Sequence, residues 1–219
     1  MTLVLHHHPW SSNAQKVRLL LDVVGADYEL REVPFEMERA PWHLEVNPTG
    51  AIPALVDDGF RLAESNAMLR YLADRAGRDD LYPRDLRERA TVDWVLDLWA
   101  TSMRPGLFAY EAAQYGIVPG RGMFAKEAAP VAEVQELFAK ATPRLRMALD
   151  VLDPAGPWAC LGRMTIADIA AAPVLHRVLA APIDLEPLPR LATWAAACET
   201  IPEWQALIPS CGVPAVDAG

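Results

Sequence analysis

Apolar residues are spaced differently in the first 76 residues than in the rest of the chain. The short apolar run at residues 3–5 predicts a strand. Residues 13–24 predict a helix, because their apolar members recur at helical spacing: Val17, Leu20, Leu21 and Val24. Gly25 follows directly and predicts the end of that helix. The chain therefore begins with a strand and a helix joined by a short loop.

The next fifty residues extend this alternation. Residues 28–33 alternate in the manner of a strand, and residues 38–46 predict a short helix. Asp57-Asp58-Gly59 is a hairpin turn signal between two strand-like segments, residues 53–56 and 61–62. Residues 65–76 predict a helix. The order β-α-β-α-β-β-α predicts an α/β layer with a small mixed sheet.

Beyond a linker at residues 77–85, which is rich in Gly, Asp and Pro, the pattern predicts only helices. One apolar stripe at helical offsets marks the first of them: Val92, Val95, Leu96, Trp99 and Met103. Residues 116–122 interrupt this region. A further helix is predicted over residues 131–152, which Pro143 should kink or divide. A last helix is predicted over residues 191–200.

Thr165-Ile166-Ala167-Asp168 is the sequence of a capping box, with Asp in the place usually taken by Glu or Gln. Met164 and Ile169 are spaced to form its hydrophobic staple. The pattern predicts a helix start whose role is structural, and the helix should run through Leu175 with Pro173 inside it.

Composition and charge narrow the classes of function. The 219 residues are 52% apolar, enough for one large or two small domains, and no apolar run reaches the ~20 residues of a membrane span. A net charge of −9 argues against nucleic acids and anionic membranes as partners. The amino terminus lacks the basic flank of a secretory signal. Three cysteines, Cys160, Cys198 and Cys211, form neither a disulfide framework nor a metal motif, which fits a reducing cytoplasm.

The triplet His6-His7-His8 invites a metal interpretation, but the geometry of a strand argues against one. Successive side chains on a strand point to opposite faces, so three consecutive histidines cannot all face one ion. We therefore predict no metal site.

Ile52-Pro53 lies in the segment Asn47-Pro48-Thr49-Gly50-Ala51-Ile52-Pro53-Ala54-Leu55, where a turn runs into a proline that opens an apolar strand. Proline donates nothing to a sheet, and an X-Pro bond is the one peptide bond that adopts the cis form at low cost. A cis bond would turn the Ile52 N–H and carbonyl outward, toward a ligand. An extended peptide could then pair with this backbone edge as with a strand. A trans proline at a loop-to-strand junction fits the same spacing.

The first helix starts without a cysteine. The α/β order and the strand-opening proline suggest the thioredoxin fold, which usually carries Cys-x-x-Cys there. Here the place reads Trp10-Ser11-Ser12-Asn13, so this domain cannot exchange a dithiol for a disulfide, and any thiol must arrive with a substrate. A serine hydroxyl at a helix start can donate to such a thiolate. It can equally serve as an ordinary N-cap.

Four landmarks together resemble the cytosolic glutathione transferases of the serine type, the theta-, phi- and zeta-like branch with many bacterial members. They are Ser11 six residues before Val17, the segment at residues 47–55, Glu64-Ser65, and Thr-Ile-Ala-Asp at residues 165–168. The resemblance covers nearly the whole chain. It implies a thioredoxin-like, glutathione-binding domain at residues 1–78, an all-helical domain at residues 86–219, and a cytoplasmic homodimer with its active sites in the cleft between domains.

The resemblance also implies roles for particular residues. Ser11 would activate the glutathione sulfur, with Ser12 as its competitor. Ile52 would pair through its backbone with the cysteinyl part of glutathione, and Pro53 would be the cis proline. Glu64 and Ser65 would hold the γ-glutamyl end. Arg39, or alternatively His43, would meet the glycyl carboxylate. Ala51 departs from the family pattern, because a long polar side chain that touches glutathione often stands there.

The second substrate is expected between the domains, in a cleft suited to a small apolar or aromatic electrophile. The residues expected to line it are Trp10, Arg104, Leu107, Phe108, Tyr110 and Tyr115. The chain is thus predicted to be a glutathione S-transferase that acts by conjugation. Glutathione-dependent isomerisation, dehalogenation and ether cleavage use the same fold, as does non-catalytic binding of glutathione or an apolar ligand.

Overall fold

A computed structural model describes residues 3–35, 38–118, 125–154 and 156–212. Its first part is a four-stranded sheet with three helices, in the order β1 (Leu3–His7), α1 (Ser12–Val23), β2 (Glu29–Glu32), α2 (Pro41–Leu44), β3 (Ala54–Asp57), β4 (Phe60–Leu62) and α3 (Ser65–Arg75). This is the predicted order of elements. The predicted helix at residues 38–46 is reduced to a single turn, which begins at Pro41.

The strands lie in the order β2-β1-β3-β4. Strand β2 runs parallel to β1, and β3 and β4 each run antiparallel to their neighbour. Asp58 and Gly59 both have positive φ, 45° and 90°, which is the geometry of the two-residue hairpin turn that Asp-Gly predicts. The mixed sheet of the sequence analysis is therefore confirmed.

The two faces of the sheet carry different helices. Leu3 and Leu5 of β1 belong to the main hydrophobic core together with α1 and α3, which pack against each other. His6 points the opposite way, as alternation on a strand requires, and contacts His43 on α2. Helix α1 ends just before Gly25, whose φ is +64°, and the Ala26 N–H closes the turn by donating to the Leu21 carbonyl.

The regular elements that the structure describes in the second part are all helical. It comprises α4 (Leu86–Leu98), a π-helical segment (Trp99–Met103), α5 (Arg104–Gln114), α6 (Val131–Leu149), α7 (Ile166–Leu179), α8 (Pro189–Glu199), α9 (Pro202–Leu207) and a 3₁₀ turn (Ile208–Ser210). The predicted stripe from Val92 to Met103 is buried. Of the predicted interruption at residues 116–122, residues 119–122 lie outside the described chain.

The helical part differs from the prediction at two places. Helix α6 continues through Pro143 as a single helix instead of dividing there. Pro143 removes one donor, but Ala139, whose carbonyl loses that bond, is an exposed residue that water can reach. Helix α9 was not predicted at all, since its six residues are too few to show a periodic pattern.

The predicted capping box at the start of α7 is confirmed. Asp168 accepts from the Thr165 N–H at 2.8 Å, while the Thr165 hydroxyl caps the first turn. Asp168 also accepts from the Ala159 N–H and from the Trp194 indole, each at 2.8 Å. This carboxylate therefore joins a loop, α7 and α8 at the centre of the helical part.

Helix α7 connects the two parts of the molecule. It packs against α1 and α3 of the first part and against α4 and α8 of the second. The Ile166 N–H donates to the Leu81 carbonyl at 3.1 Å, which ties its start to the linker. Across the described chain, no helix is both long enough and apolar enough to cross a membrane.

Candidate active site

The topology brings three of the predicted landmarks to one edge of the sheet. Strand β1 ends at this edge, just before Ser11. Strand β3 begins there, just after Pro53, because His6 pairs with Ala54 in the antiparallel register. Strand β4 ends at the same edge, since Leu62 pairs with Leu55, and leads into Glu64 and Ser65. Residues separated by more than fifty positions therefore converge for a reason set by strand direction alone.

Ser11 is the N-cap residue of α1. Its Oγ accepts from the Ala14 N–H at 3.3 Å, and Ser12 is the first residue within the helix. Both roles considered for Ser11 are compatible with this geometry. Capping uses a lone pair of the hydroxyl oxygen, so the O–H can still donate to a thiolate placed near the positive end of the helix.

The Ile52-Pro53 peptide bond is cis, as predicted. The preceding carbonyl of Ala51 accepts from Asn47 Nδ2 at 2.9 Å and from His43 Nε2 at 3.1 Å, which fixes the approach to the proline. Within the residues that the structure describes, neither the N–H nor the carbonyl of Ile52 forms a hydrogen bond. This backbone edge is therefore available for pairing with an extended peptide.

Glu64 is held in an unusual backbone conformation at the start of α3. Its φ is 65° and its ψ is 107°, in a region that costs a non-glycine residue about 1–3 kcal/mol. Ser65 is the first residue of α3, where the N–H groups of the first turn favour a carboxylate. Strain of this kind is typical of residues whose position serves a ligand.

A cavity of about 210 Å³ lies between the two parts of the molecule beside Glu64. Helices α1 and α3 form one wall, and the π-helical segment with the start of α5 forms the other. Its lining residues are Asn13, Lys16, Glu64, Ser65, Asn66, Trp99, Ala100 and Arg104. Three of these, Glu64, Ser65 and Arg104, were predicted from the sequence as site residues. Ser11 is not among the lining residues.

Lys16 is a buried basic residue in the wall of this cavity. Only 5% of its surface is exposed, and its Nζ donates to Asn66 Oδ1 at 2.6 Å. The pKa of Lys16 is lowered to about 7, chiefly by burial and also by the charge of Arg104, while the charge of Glu64 opposes the shift. Lys16 was not predicted as a site residue, because a lysine within a helix is ordinarily solvated.

Arg104 enters the opposite wall from the start of α5. Its Nη1 lies 2.8 Å from Glu111 Oε2, and its guanidinium stands 5.0 Å from the ring centre of Phe108. Burial lowers the pKa of Arg104, Glu111 raises it, and Arg177 lowers it again. The cavity therefore has a basic side chain on each wall, Lys16 and Arg104, and the carboxyl group of Glu64 in the lining.

Comparison with known proteins agrees with this geometry. The family model described as glutathione S-transferase, N-terminal domain, matches residues 10–75, and that described as glutathione S-transferase, C-terminal domain, matches residues 131–197. A glutathione S-transferase D7 from Anopheles gambiae is 32% identical over 204 residues, which cover 91% of this chain and 87% of that protein. The chain belongs to the glutathione S-transferase family.

Two further relatives extend the comparison. A maleylacetoacetate isomerase from Rhizobium meliloti (strain 1021) is 30% identical over 216 residues, or 96% of this chain and 98% of that protein. The structure of the glutathione transferase BmGSTD1 from Bombyx mori superposes with a TM-score of 0.73 at 26% identity, over 96% of this chain and 90% of the other. The resemblance to serine-type glutathione transferases and the two-part fold are both confirmed.

The residues expected to line the second-substrate site of this transferase fall into two groups. Arg104 lines the cavity, and Phe108 keeps 36% of its surface exposed beside it. Leu107, Tyr110 and Tyr115 instead lie in the core of the helical part. Tyr110 packs edge-on against Phe138 of α6 at 5.5 Å. An apolar stripe identifies the buried faces of a helix but does not say which face meets a cleft.

Trp10 and Arg39 are both placed by contacts within the transferase. The Trp10 ring stands edge-on to His8 at 5.2 Å and lies so close to Gly212 that a side chain at that glycine would collide with it. Arg39 donates from Nε to the Gly50 carbonyl at 2.9 Å and from Nη1 to the Pro34 carbonyl at 2.7 Å. Arg39 thus lies beside the segment that leads to the cis proline.

His43, the alternative to Arg39, is an unsuitable cation. It is fully buried, its Nδ1 lies 3.3 Å from His6 Nδ1, and its Nε2 is 3.1 Å from the Ala51 carbonyl. Burial is the largest cause that lowers the pKa of His43, which therefore stays neutral near pH 7. Between the two candidates for the glycyl carboxylate, the charge favours Arg39.

The histidine triplet follows the alternation expected of a strand. His6 contacts His43 on α2, whereas the next residue, His7, lies near Arg18 of α1. His8 follows the end of β1, and its ring lies tilted against Phe35, with ring centres 4.0 Å apart. In the parts of the chain that the structure describes, no group of three or more His, Cys, Asp or Glu side chains is placed to hold a metal ion.

Proposed function

We propose that the cleft at this sheet edge binds glutathione and that the Ser11 hydroxyl donates to its sulfur, so that the thiolate is the reacting species. The observation that supports this most is the convergence of the Ser11 cap, the Ile52 backbone and the start of α3 at one edge. An ordinary thiol has a pKa of ~8.5. A hydroxyl donor and the N-terminus of α1 both stabilise negative charge, the latter by about 0.3–1 kcal/mol, and so lower that pKa.

The tripeptide is proposed to lie across the edge in an extended form. Its cysteinyl backbone pairs with the N–H and carbonyl of Ile52, beside Pro53. Its γ-glutamyl carboxylate meets Ser65 and the first N–H groups of α3, while Glu64 receives the α-ammonium group. Arg39 meets the glycyl carboxylate. These assignments match each charge of the tripeptide to an oppositely charged or donor group of the protein.

The proposed reaction is conjugation. The thiolate sulfur forms a bond to an electrophilic carbon of a small apolar or aromatic substrate, and the leaving group departs with its electron pair while the thiol proton passes to solvent. The protein contributes by holding the thiolate near its target. We further propose a cytoplasmic homodimer, which would cover the exposed Phe60 and Trp94 side chains.

A second candidate function is glutathione-dependent isomerisation. The relative named maleylacetoacetate isomerase is aligned over 96% of this chain, and the same thiolate would serve that chemistry. The two functions differ in what becomes of glutathione. An isomerase returns it unchanged after each turnover, whereas conjugation consumes one thiol for each product formed.

The test compares Ser11→Ala with Ser12→Ala, using glutathione and a generic aromatic electrophile. We expect kcat/KM to fall at least about tenfold for Ser11→Ala, equivalent to about 1.4 kcal/mol of transition-state stabilisation, and to stay near the wild-type value for Ser12→Ala. Equal activity of all three proteins would rule out the serine-thiolate mechanism. Absence of glutathione binding at millimolar concentration would instead indicate a non-catalytic member of the family.

A further inference from the structure

The turn that carries Ser11 is held by side chains from outside it. Between the end of β1 and Ser11 the chain exposes two carbonyls, those of Pro9 and Trp10. The Pro9 carbonyl accepts from Gln15 Nε2 at 2.6 Å. The Trp10 carbonyl accepts from Arg177 Nη2 at 3.0 Å, and Arg177 belongs to α7 in the helical part, 167 residues away in the sequence. The residue before Ser11 is thus bonded from the other side of the domain boundary.

Arg177 is in turn fixed by buried partners. Only 1% of its surface is exposed. Its Nη1 donates to Glu111 Oε1 on α5, and its Nη2 also lies 3.2 Å from Gln15 Oε1. Glu111 has no exposed surface and pairs through its other oxygen with Arg104 in the cavity wall. A continuous set of charged contacts therefore runs from the cleft, through Arg104, Glu111 and Arg177, to the carbonyl before Ser11.

Stability alone gives little reason to bury these charges. Removing two guanidinium groups and a carboxylate from water carries a large desolvation cost, and such networks are often no more stabilising than apolar residues of the same volume. The arrangement instead fixes the relative orientation of the groups that it joins. A planar guanidinium with several donors fixes both the distance and the angle of the groups it bridges. Here the bridged groups are Glu111 and the turn that presents the Ser11 hydroxyl.

We propose that Arg177 is a positioning residue for the Ser11 hydroxyl, acting from the helical domain through the Trp10 carbonyl and oriented by Glu111. This inference rests on the proposed function, in which Ser11 donates to the glutathione sulfur. It assigns to α7 a part in activating the thiol, although no residue of α7 lines the cavity.

The main experiment uses Arg177→Lys, which keeps the positive charge and removes the planar set of donors. Long-range electrostatic effects on the thiolate are thereby preserved, and the loss of geometry is isolated. We expect the pKa of enzyme-bound glutathione, measured by the ultraviolet absorbance of the thiolate, to rise by about one unit. We expect kcat with a generic aromatic electrophile to fall about ten- to a hundredfold, with little change in KM for glutathione.

Arg190→Lys is the matched control. Arg190 also uses its guanidinium to hold backbone carbonyls, those of Asp153 at 3.1 Å and Trp158 at 2.6 Å, but within a loop of the helical part. The same chemical change at Arg190 should leave the pKa of bound glutathione unaltered. An equal shift in both variants would mean that general loosening of the fold is responsible, and would overturn the proposal.

A double-mutant cycle separates this proposal from the function on which it rests. If Arg177 acts through Ser11, then Arg177→Lys should cost nothing further in a Ser11→Ala background. Additive losses would overturn the positioning role while leaving the serine mechanism intact. Full activity of Ser11→Ala alone would overturn the proposed function itself.

If Arg177→Lys does not fold, a second variant on α1 tests the same proposal without changing any charge. Gln15→Met keeps the length of the side chain but removes both the donor to the Pro9 carbonyl and the acceptor beside Arg177. The positioning role predicts the same direction of change, a raised pKa of bound glutathione with unchanged KM. A folded Gln15→Met protein with wild-type thiol pKa and kcat would contradict it.

Discussion

Helices α1 and α7 both begin with a hydroxyl N-cap, and the two caps are completed to very different degrees. Thr165 is fully buried, and the carboxylate of Asp168 closes its capping box. Ser11 is half-buried and accepts one bond of 3.3 Å, from the Ala14 N–H, with no acidic residue in the first turn of α1. The cap of α7 is therefore complete within the protein, whereas the Ser11 hydroxyl at the start of α1 can still form a hydrogen bond to a ligand.

The surroundings explain the difference. Asp168 receives donors from a loop and from α8 in addition to its own helix, so nothing at that helix start remains for an outside molecule. The turn before Ser11 is held by its carbonyls instead, through Gln15 and Arg177. At the start of α7 the contacts use all the hydrogen-bonding capacity of the capping groups. At the start of α1 they orient the turn that carries Ser11.

The largest expected effect is on the completed cap. Asp168→Ala would leave the Thr165 N–H, the Ala159 N–H and the Trp194 indole without their acceptor in the core. We expect the free energy of unfolding to fall by about 3–5 kcal/mol, measured by urea denaturation. A loss below about 1 kcal/mol would show that the cap at α7 is no more essential than that at α1.

Acidification should affect the two helix starts with opposite sign. Burial lowers the pKa of His6 and of His7, just before the α1 turn, from 6.5 to about 4. His43 and Arg31 add to this at His6, as do Arg18 and His8 at His7. Because the unfolded chain binds protons first, the stability due to these histidines is complete above pH 6.5 and is lost as the pH falls toward 4.

Asp168 behaves in the opposite way. Burial raises its pKa although its donors lower it, so its protonation on acidification opposes the loss due to the histidines. We expect urea denaturation at pH 7, 6 and 5 to show a net loss, of about 2 kcal/mol per histidine at pH 5. His7→Leu should flatten the dependence. An identical pH dependence of wild type and His7→Leu would show that His7 is not kept neutral in the folded protein.

The smallest effects are expected from removing the hydroxyls themselves. Thr165→Ala should cost about 1–2 kcal/mol of stability, whereas Ser11→Ala should cost less than about 1 kcal/mol because its bond is long and partly solvated. Thermal unfolding of the two variants side by side measures the difference. The comparison would fail if Ser11→Ala proved the more destabilising of the two.

Local signals were the part of this molecule that could be predicted. Asp58-Gly59, Gly25 and the Thr165–Asp168 box specify their structures through nearest neighbours, and each was found as predicted. The cis Ile52-Pro53 bond was also predicted, but only after Ser11 and Glu64-Ser65 were considered with it. Strand direction then explains why these landmarks meet.

Contacts between distant segments were not predictable in the same way. The hydrogen bond from Arg177 to the Trp10 carbonyl joins two segments that are far apart in the sequence. Nothing in the sequence around either residue predicts that they are in contact. From the sequence, Lys16 is expected to be solvated. In the folded protein it is buried in the cavity wall, beside α3 and the π-helical segment. Leu107 and Tyr110 were expected in the cleft from their place after the Trp99–Met103 stripe, but both are buried in the helical part. The sequence shows that a helix face is apolar, but not which neighbour that face packs against.

The hydrogen bond between Arg177 and the Trp10 carbonyl limits the exchange of domains between this protein and its relatives, because it joins the two domains. A chimera that joins the first 78 residues to a helical domain from another family member would keep every glutathione contact proposed above. It would nevertheless lose the donor that orients the Ser11 turn, unless the new domain supplies an arginine at the equivalent position of its α7. Exchange of whole domains between such enzymes should therefore succeed for folding more often than for turnover.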